Sequence, residues 1–217
     1  MKTSEKNNKT IISPADFYRK EHFAFFKDFV NPFISITCNV DAKLCRERSR
    51  REGVKFFQLY LYAILHAVND IEEFHYRLSA EGEIVRYERI NVVCPIKLTP
   101  ESPYVTMVFE YKECFAEFKA CMDSKIENHD KDSVFGEEDK MDEFDVVLVS
   151  AIPDLPFTSF PCAQKNENGN DFPIITVGML NSNGEMPIAI SVHHAFVDGE
   201  HVARFYQLVE RYMNGAE

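Results

Sequence analysis

Apolar and β-branched residues alternate with polar ones over Phe33–Val40 (FISITCNV), which predicts a strand. Upstream, Phe17, Phe23, Phe26 and Val30 recur at a roughly helical spacing behind Pro14 and Asp16. That pattern predicts a helix over Asp16–Val30, stopped by Asn31-Pro32. Residues 1–13 are polar and lysine-dotted and read as a flexible N-terminal tail. Asp41 stands as an N-cap for a charged, exposed helix ending at Gly53. Phe56–Ile71 (FFQLYLYAILHAVNDI) is apolar on most sides and free of Gly and Pro, which predicts a buried helix.

The second half reads mainly as strands. Glu81-Gly82 marks a hairpin between Tyr76–Ala80 and Glu83–Arg89, and Asn91–Lys97 and Tyr104–Tyr111 are strand-like. Glu113–His129 is an amphipathic helix with Phe115, Phe118 and Met122 on one side. The acidic stretch Ser133–Glu143 reads as a surface connection, and Asn166–Asn170 as a turn-rich loop. Phe144–Ile152 (FDVVLVSAI) is a buried strand and Leu155–Phe160 a short one. Phe172–Leu180 and Met186–His193 form strands joined by Asn183-Gly184, a strong hairpin signal. A terminal helix from Asp198 carries Val202, Phe205, Leu208 and Val209 on one face. There is no internal repeat and no regular βαβ alternation. The pattern describes a single mixed α+β domain over 14–217.

Composition narrows the function classes. With 24 basic and 35 acidic residues in 217, the formal charge is −11. That balance argues against a nucleic-acid or anionic-membrane binder, although a local basic patch can still hold a small anion. No apolar run reaches the ~20 residues of a membrane helix, and no apolar leader is visible at the N-terminus. The 6 cysteines include no CxxC pair and read as reduced thiols of a cytoplasmic protein. The 19 Phe and 9 Tyr, with no Trp, suit an aromatic core or a core plus an apolar pocket.

The stretch richest in chemistry is Ile188–Arg204 (IAISVHHAFVDGEHVAR). A buried strand runs into His193 and His194, and neighbouring strand residues face opposite sides. One imidazole is therefore expected in the core and the other in a cleft, where it can take a proton near pH 7. Asp198 can cap the following helix, orient the histidine, or anchor the loop through a distant cation. A structural turn and a metal site remain alternatives at this point.

HHAFVDG followed by EHVARF resembles the His-His-x-x-x-Asp-Gly signature of the chloramphenicol acetyltransferases. Tyr18–Phe26 (YRKEHFAFF) is similar to that family's Arg-basic-Glu-His-Phe segment. Lys55-Phe56-Phe57 resembles its Lys-Phe-Tyr helix start, and Val149-Ser150-Ala151 its Ile-Ser-Ala strand. Thr158-Ser159-Phe160 and Pro173–Thr176 fit two further segments in order, so the resemblance runs over roughly residues 17–212.

The resemblance implies a two-layer α/β sandwich, a mixed sheet packed by helices, of the CoA-dependent acyltransferase type. It implies His194 as the general base that deprotonates a small-molecule alcohol for direct attack on acetyl-CoA, with no acyl-enzyme. Ser150 would hydrogen-bond the tetrahedral oxyanion. Asp198 would pair with Arg19 as a scaffold rather than a proton relay. Thr176 would position the acceptor, with Phe26, Phe115 and Phe160 in segments lining its pocket, and Lys55 would lie near the coenzyme. No metal is implied. A homotrimer with active sites between subunits is implied, with the histidine from one chain and much of the acceptor pocket from the next.

Departures from the family pattern fall at binding positions. Phe26 and Phe57 stand where Tyr is usual, Met179-Leu180 stands for a Lys-Tyr pair, and Asp154 occupies the neighbourhood of a Trp. Two other readings keep the fold: an acetyltransferase of a different hydroxylated acceptor, and a catalytically silent binding protein. The dihydrolipoyl transacylase core shares a His-x-x-x-Asp-Gly end, but no lipoyl or linker region is visible.

Overall fold

A computed structural model of the chain describes residues 8–99, 101–129, 145–162 and 171–215. In order these form β1 (Lys9–Ile12), α1 (Lys20–Phe26), β2 (Phe33–Asp41), α2 (Lys43–Glu52), α3 (Phe56–Asn69), β3 (Tyr76–Leu78) and β4 (Ile84–Tyr87). There follow β5 (Asn91–Lys97), β6 (Tyr104–Phe109), α4 (Phe115–Glu127), β7 (Val146–Ala151), β8 (Ile174–Val177), β9 (Glu185–His193) and α5 (Gly199–Met213). The main sheet has six strands in the order β2-β9-β8-β7-β5-β6, and β1-β4-β3 form a small second sheet. The β5–β7 and β7–β8 pairs are parallel and the others antiparallel. The expected α+β architecture, mixed sheets packed by helices, is what the chain forms.

Hydrophobic pattern decides the strand order. Every residue of β9 from Met186 to His193 is buried, so β9 lies inside the sheet, whereas β2 and β6 are only partly buried and take its edges. α3 is buried almost throughout and packs against α5, whose stripe of Val202, Phe205, Val209 and Met213 faces inward. Each fully buried Leu, Ile or Phe contributes about 1.5–3 kcal/mol, which holds these layers together. Tyr206 fastens α5 to the sheet. Its hydroxyl lies 2.9 Å from the Ile36 carbonyl and 2.8 Å from that of Ile188, on adjacent strands.

Four expectations need correction. The loose tail gives way at Lys9–Ile12 to β1, whose backbone pairs with β4. The first helix is shorter than Asp16–Val30, because turns at Asp16 and Lys20 carry the chain so that Phe17 packs against Phe23, Tyr76 and Phe196. Ala42, not Asp41, occupies the N-cap of α2, and the Asp41 carboxylate accepts the Lys43 N–H from one residue further out (2.9 Å). Leu155–Phe160 is irregular, not a strand, since Pro156 and Pro161 lack the N–H groups a ladder requires. The expected Ser133–Glu143 connection and Asn166–Asn170 loop lie outside the described residues.

Candidate active site

At the end of β9 the two histidines part, as their adjacency predicts. His193 is 5% exposed. Its ring lies 5.3 Å from that of Phe33 and 5.5 Å from that of Phe196, and its Nδ1 accepts the Ala195 N–H at 3.2 Å. Burial pushes its pKa down to about 4, and the neighbouring His194 adds in the same direction. His193 is a neutral core residue.

His194 turns the other way, with its side chain 26% exposed. Its Nδ1 lies 3.0 Å from the Val197 carbonyl and 3.4 Å from Asp198 Oδ1. Carbonyl and carboxylate oxygens only accept, so Nδ1 carries an N–H, and the neutral tautomer that fits these contacts has its lone pair on Nε2. The Phe26 ring covers one side of the imidazole, with centroids 4.1 Å apart.

α1 and α5 together hold this loop. Arg19 donates to Asp198 Oδ2 and to the Phe196 carbonyl, so one guanidinium fork ties the histidine turn to the first helix. Burial by itself would raise the Asp198 carboxyl, but the hydrogen bond and charge of Arg19, with His22 and His201 adding, hold it below the ordinary carboxylate range. Asp198 also opens α5, where its backbone N–H donates to His201 Nδ1 at 2.9 Å. His22 Nε2 donates to the His194 carbonyl at 2.8 Å and stands 3.1 Å from Asp198 Oδ1, which is buried and accepts no hydrogen bond. His22, His194 and Asp198 bring ligand-type atoms within 4.8 Å of one another. Arg19 neutralises that carboxylate through Oδ2 and both rings direct N–H groups at backbone carbonyls, while Asp198 Oδ1 is left in the cluster without a hydrogen bond.

A second cluster forms on β7 and β8. These strands are parallel and pair Ser150 with Thr176, so the two hydroxyls face each other at 3.0 Å. Thr176 is only 1% exposed, and Ser150 stands between it and an open cleft of about 720 Å³. Lys55, Phe57, Tyr60, Pro95 and Ala151 line that cleft with Ser150. Phe160 packs on Phe157 (5.6 Å), and Phe157 crosses closely over Gly178 beyond the end of β8. Phe115 lies elsewhere: it packs against Tyr62 at 5.4 Å, and the Arg48 guanidinium sits over its ring.

The two clusters do not meet within one chain. Thr176 pairs with Ala189 on β9, and His194 comes five positions later. At ~3.3 Å per residue this is about 17 Å along the strand, with ~10 Å more across two strands to Ser150. Among the described residues no hydrogen bond, ion pair or ring contact joins Arg19, His22, Phe26, His194 or Asp198 to Ser150, Thr176 or Lys55. Beside His194, Phe25 and Phe29 are exposed and pack on Phe26 at 4.9 and 5.1 Å, which leaves an apolar rim around the imidazole.

His22, Phe29 and Tyr60 enter these clusters without having been singled out from the chain. Only the position of His22 inside the YRKEHFAFF segment pointed toward it.

Comparison with known proteins agrees along most of the chain. A family model described as chloramphenicol acetyltransferase matches residues 7–210. A chloramphenicol acetyltransferase of Proteus mirabilis is 27% identical over 205 residues, covering 93% of each chain. Chloramphenicol acetyltransferase 2 of Escherichia coli is 26% identical over 209 residues, covering 94% of this chain and 96% of the relative. A solved chloramphenicol acetyltransferase structure superposes with a TM-score of 0.87 at 37% identity, covering 94% of this chain and 99% of the other. A dihydrolipoamide acetyltransferase from Azotobacter vinelandii shares the fold alone, with a TM-score of 0.61 at 15% identity over 85% of this chain and 82% of the other.

Proposed function

The chain belongs to the chloramphenicol acetyltransferase family, and from that premise we propose that it transfers the acetyl group of acetyl-CoA to a hydroxyl of chloramphenicol or a similar small alcohol. His194 Nε2 removes the hydroxyl proton as the oxygen attacks the thioester carbonyl. Such a positioned base contributes typically ~10²–10⁴-fold. Ser150 donates its one hydroxyl proton to the oxyanion that forms, with Thr176 donating to the Ser150 oxygen on its far side. As the carbon–sulfur bond breaks, His194 returns the proton to the departing sulfur, and no group on the protein is acylated. Arg19 and Asp198 position the histidine turn and take no proton.

The observation that carries this reading is the state of His194: Nδ1 occupied by the Val197 carbonyl at 3.0 Å and the ring still partly open. The donor set of the cleft fits a thioester co-substrate, with an apolar wall of Phe57, Tyr60 and Pro95, the Ser150 hydroxyl at one side, and the Lys55 ammonium at the rim. Phe26, Phe115 and Phe160 are proposed as acceptor-side residues, Phe26 on the strength of its contact with the imidazole. The separation of His194 from Ser150 and the apolar rim around His194 support a homotrimer in which each active site takes its histidine from one subunit and its Ser150 cleft from the next. All six cysteines are free, which suits a cytoplasmic enzyme.

A second reading changes only the acceptor. Phe26 offers an apolar ring beside the base with no hydroxyl to hold a polar acceptor group, which favours a less polar alcohol than chloramphenicol. The test is release of CoA thiol from acetyl-CoA, with and without chloramphenicol, by the wild type and His194→Ala. Antibiotic-dependent release by the wild type alone supports the first reading. Release with another alcohol in place of chloramphenicol supports the second. Silence across a panel of alcohols leaves a binding protein of the same fold.

A further inference from the structure

The net charge of −11 hides a local concentration of positive charge on α2 (KLCRERSRRE). Its cations are not equivalent. Arg48 and Arg51 are both spent on Glu52, at 2.9 and 3.0 Å. Arg46 and Arg50, one helical turn apart, lie on another face. Among the described residues neither has a carboxylate within ion-pair distance. Like charges at this spacing repel by a few tenths of a kcal/mol, so the pair is not retained for the helix's own sake.

Both arginines line a groove of about 810 Å³ that continues from the Ser150 cleft. The two share Lys55, Phe57, Tyr60, Ala151 and Pro153. At the far end of the groove α2 contributes Arg46 and Arg50, and Lys55, which caps α3, stands where groove and cleft join; Met179 and Leu180, which also line the groove, carry no charge. Arg46 is held in place by Phe56, whose ring lies 5.3 Å below its guanidinium. The groove thus has a hydroxyl at one end, aromatic walls in the middle, and two planar donor forks without an anion at the other.

We infer that Arg46 and Arg50 receive the 3′-phosphate of the coenzyme's nucleotide. The inference rests on the acetyl-CoA reading and deepens it by assigning the groove a direction. Acetyl-CoA is long, reactive at its thioester end and highly charged at its nucleotide end. With the thioester at Ser150, the apolar arm runs past Phe57 and Tyr60 and the terminal phosphate reaches α2. Guanidinium forks match a phosphate's oxygens bidentately, and a dianion relieves the repulsion between the two arginines. This places the specificity for a phosphorylated coenzyme on a surface helix rather than on the strand wall opposite.

The test is calorimetric binding of CoA and of dephospho-CoA, which lacks only the 3′-phosphate, to the wild type, Arg46→Gln and Arg50→Gln. Wild type is expected to bind CoA roughly 10–100-fold more tightly than dephospho-CoA. Each variant should lose most of that difference while binding dephospho-CoA within about twofold of wild type, which also reports that it is folded. Adenosine 3′,5′-bisphosphate should compete with CoA on the wild type and lose competitiveness on both variants. Equal weakening for both coenzymes, or no weakening, overturns the assignment while leaving the acetyltransferase reading intact. Failure of the wild type to bind CoA at all overturns both.

Discussion

Ser150 and His194 stand at opposite ends of one sheet: Ser150 next to the end of β7, and His194 just past the end of β9, which runs the other way. Because β9 is antiparallel to β8 and β8 parallel to β7, moving toward the histidine along β9 means moving away from the serine. No rotamer of either side chain spans the resulting ~20 Å. The proposed reaction, which uses both, therefore draws them from two chains of the proposed homotrimer.

That geometry predicts complementation. Ser150→Ala and His194→Ala homo-oligomers should each be nearly inactive. When the two are co-refolded, about a quarter of the interfaces combine an intact histidine with an intact serine, so about a quarter of wild-type turnover should return. Turnover no higher than the sum of the two parent variants would show that one chain holds the complete site.

Ser150→Ala should lower kcat by ~10²–10³-fold with a much smaller change in KM, because its hydrogen bond strengthens only as the oxyanion forms. Steady-state kinetics with acetyl-CoA varied at saturating acceptor separates the two. A rise in KM with kcat retained would move Ser150 from the oxyanion to ground-state binding.

Arg19 and Asp198 should behave as a unit. Arg19→Ala leaves a carboxylate in a partly enclosed site, and Asp198→Ala leaves the guanidinium, among the described residues, with only the Phe196 carbonyl. Each single change is expected to lower the unfolding midpoint, and the double variant to fall short of their sum by ~1–3 kcal/mol in a urea-unfolding cycle. Strict additivity would mean that the pair does not couple α1 to the histidine turn.

His193 gives the fold an acid-sensitive element. Its folded pKa is held down near 4 by burial, against ~6.5 in the unfolded chain. A depressed pKa means that the unfolded state binds the proton first. The associated stability is therefore present above about pH 6.5 and lost as pH falls toward 4, by up to about 3 kcal/mol. Protonation would also place an N–H on Nδ1 opposite the Ala195 N–H that it now accepts. Urea midpoints measured across this window should fall for the wild type, and the slope should flatten in His193→Asn, which keeps an acceptor without the charge.

Gly178 tests the roof of the groove. A Cβ there would lie 2.6 Å from Pro187 Cγ and 2.8 Å from Phe157 Cε1. Gly178→Ala should cost about 1–3 kcal/mol by overpacking and shift the 152–162 segment that carries Phe157 and Phe160. Thermal unfolding reads the first effect and the KM for the acceptor the second. An unchanged midpoint would show that Phe157 swings away freely.

Much of the fold was legible in local pattern. The alternation of Phe33–Val40, the all-round apolar run after Lys55 and the Asn183-Gly184 turn each specify an element through contacts only a few residues apart. The same logic separated His193 from His194, because adjacent strand residues must face opposite ways. It failed where a distant partner overrode the local signal. Phe17 belongs to an aromatic cluster with Tyr76 and Phe196, so the stretch before Lys20 turns instead of extending α1. Lys9–Ile12 (KTII) carries three β-branched residues, but the run is only four residues long beside a polar stretch, and it becomes β1 by pairing with the backbone groups of β4.

By itself, the sequence determined the kinds of element, the mixed α+β class and, through its motifs, the family and the roster of chemical groups, since these depend on short-range spacing and residue type. Only the tertiary structure decided that Ser150 faces Thr176, that His22 holds the His194 carbonyl, and that α2 turns Arg46 and Arg50 into a groove continuous with the cleft at the serine. Those relations join residues far apart in the chain, and they exist only once strand register and helix packing fix which side chains share a space.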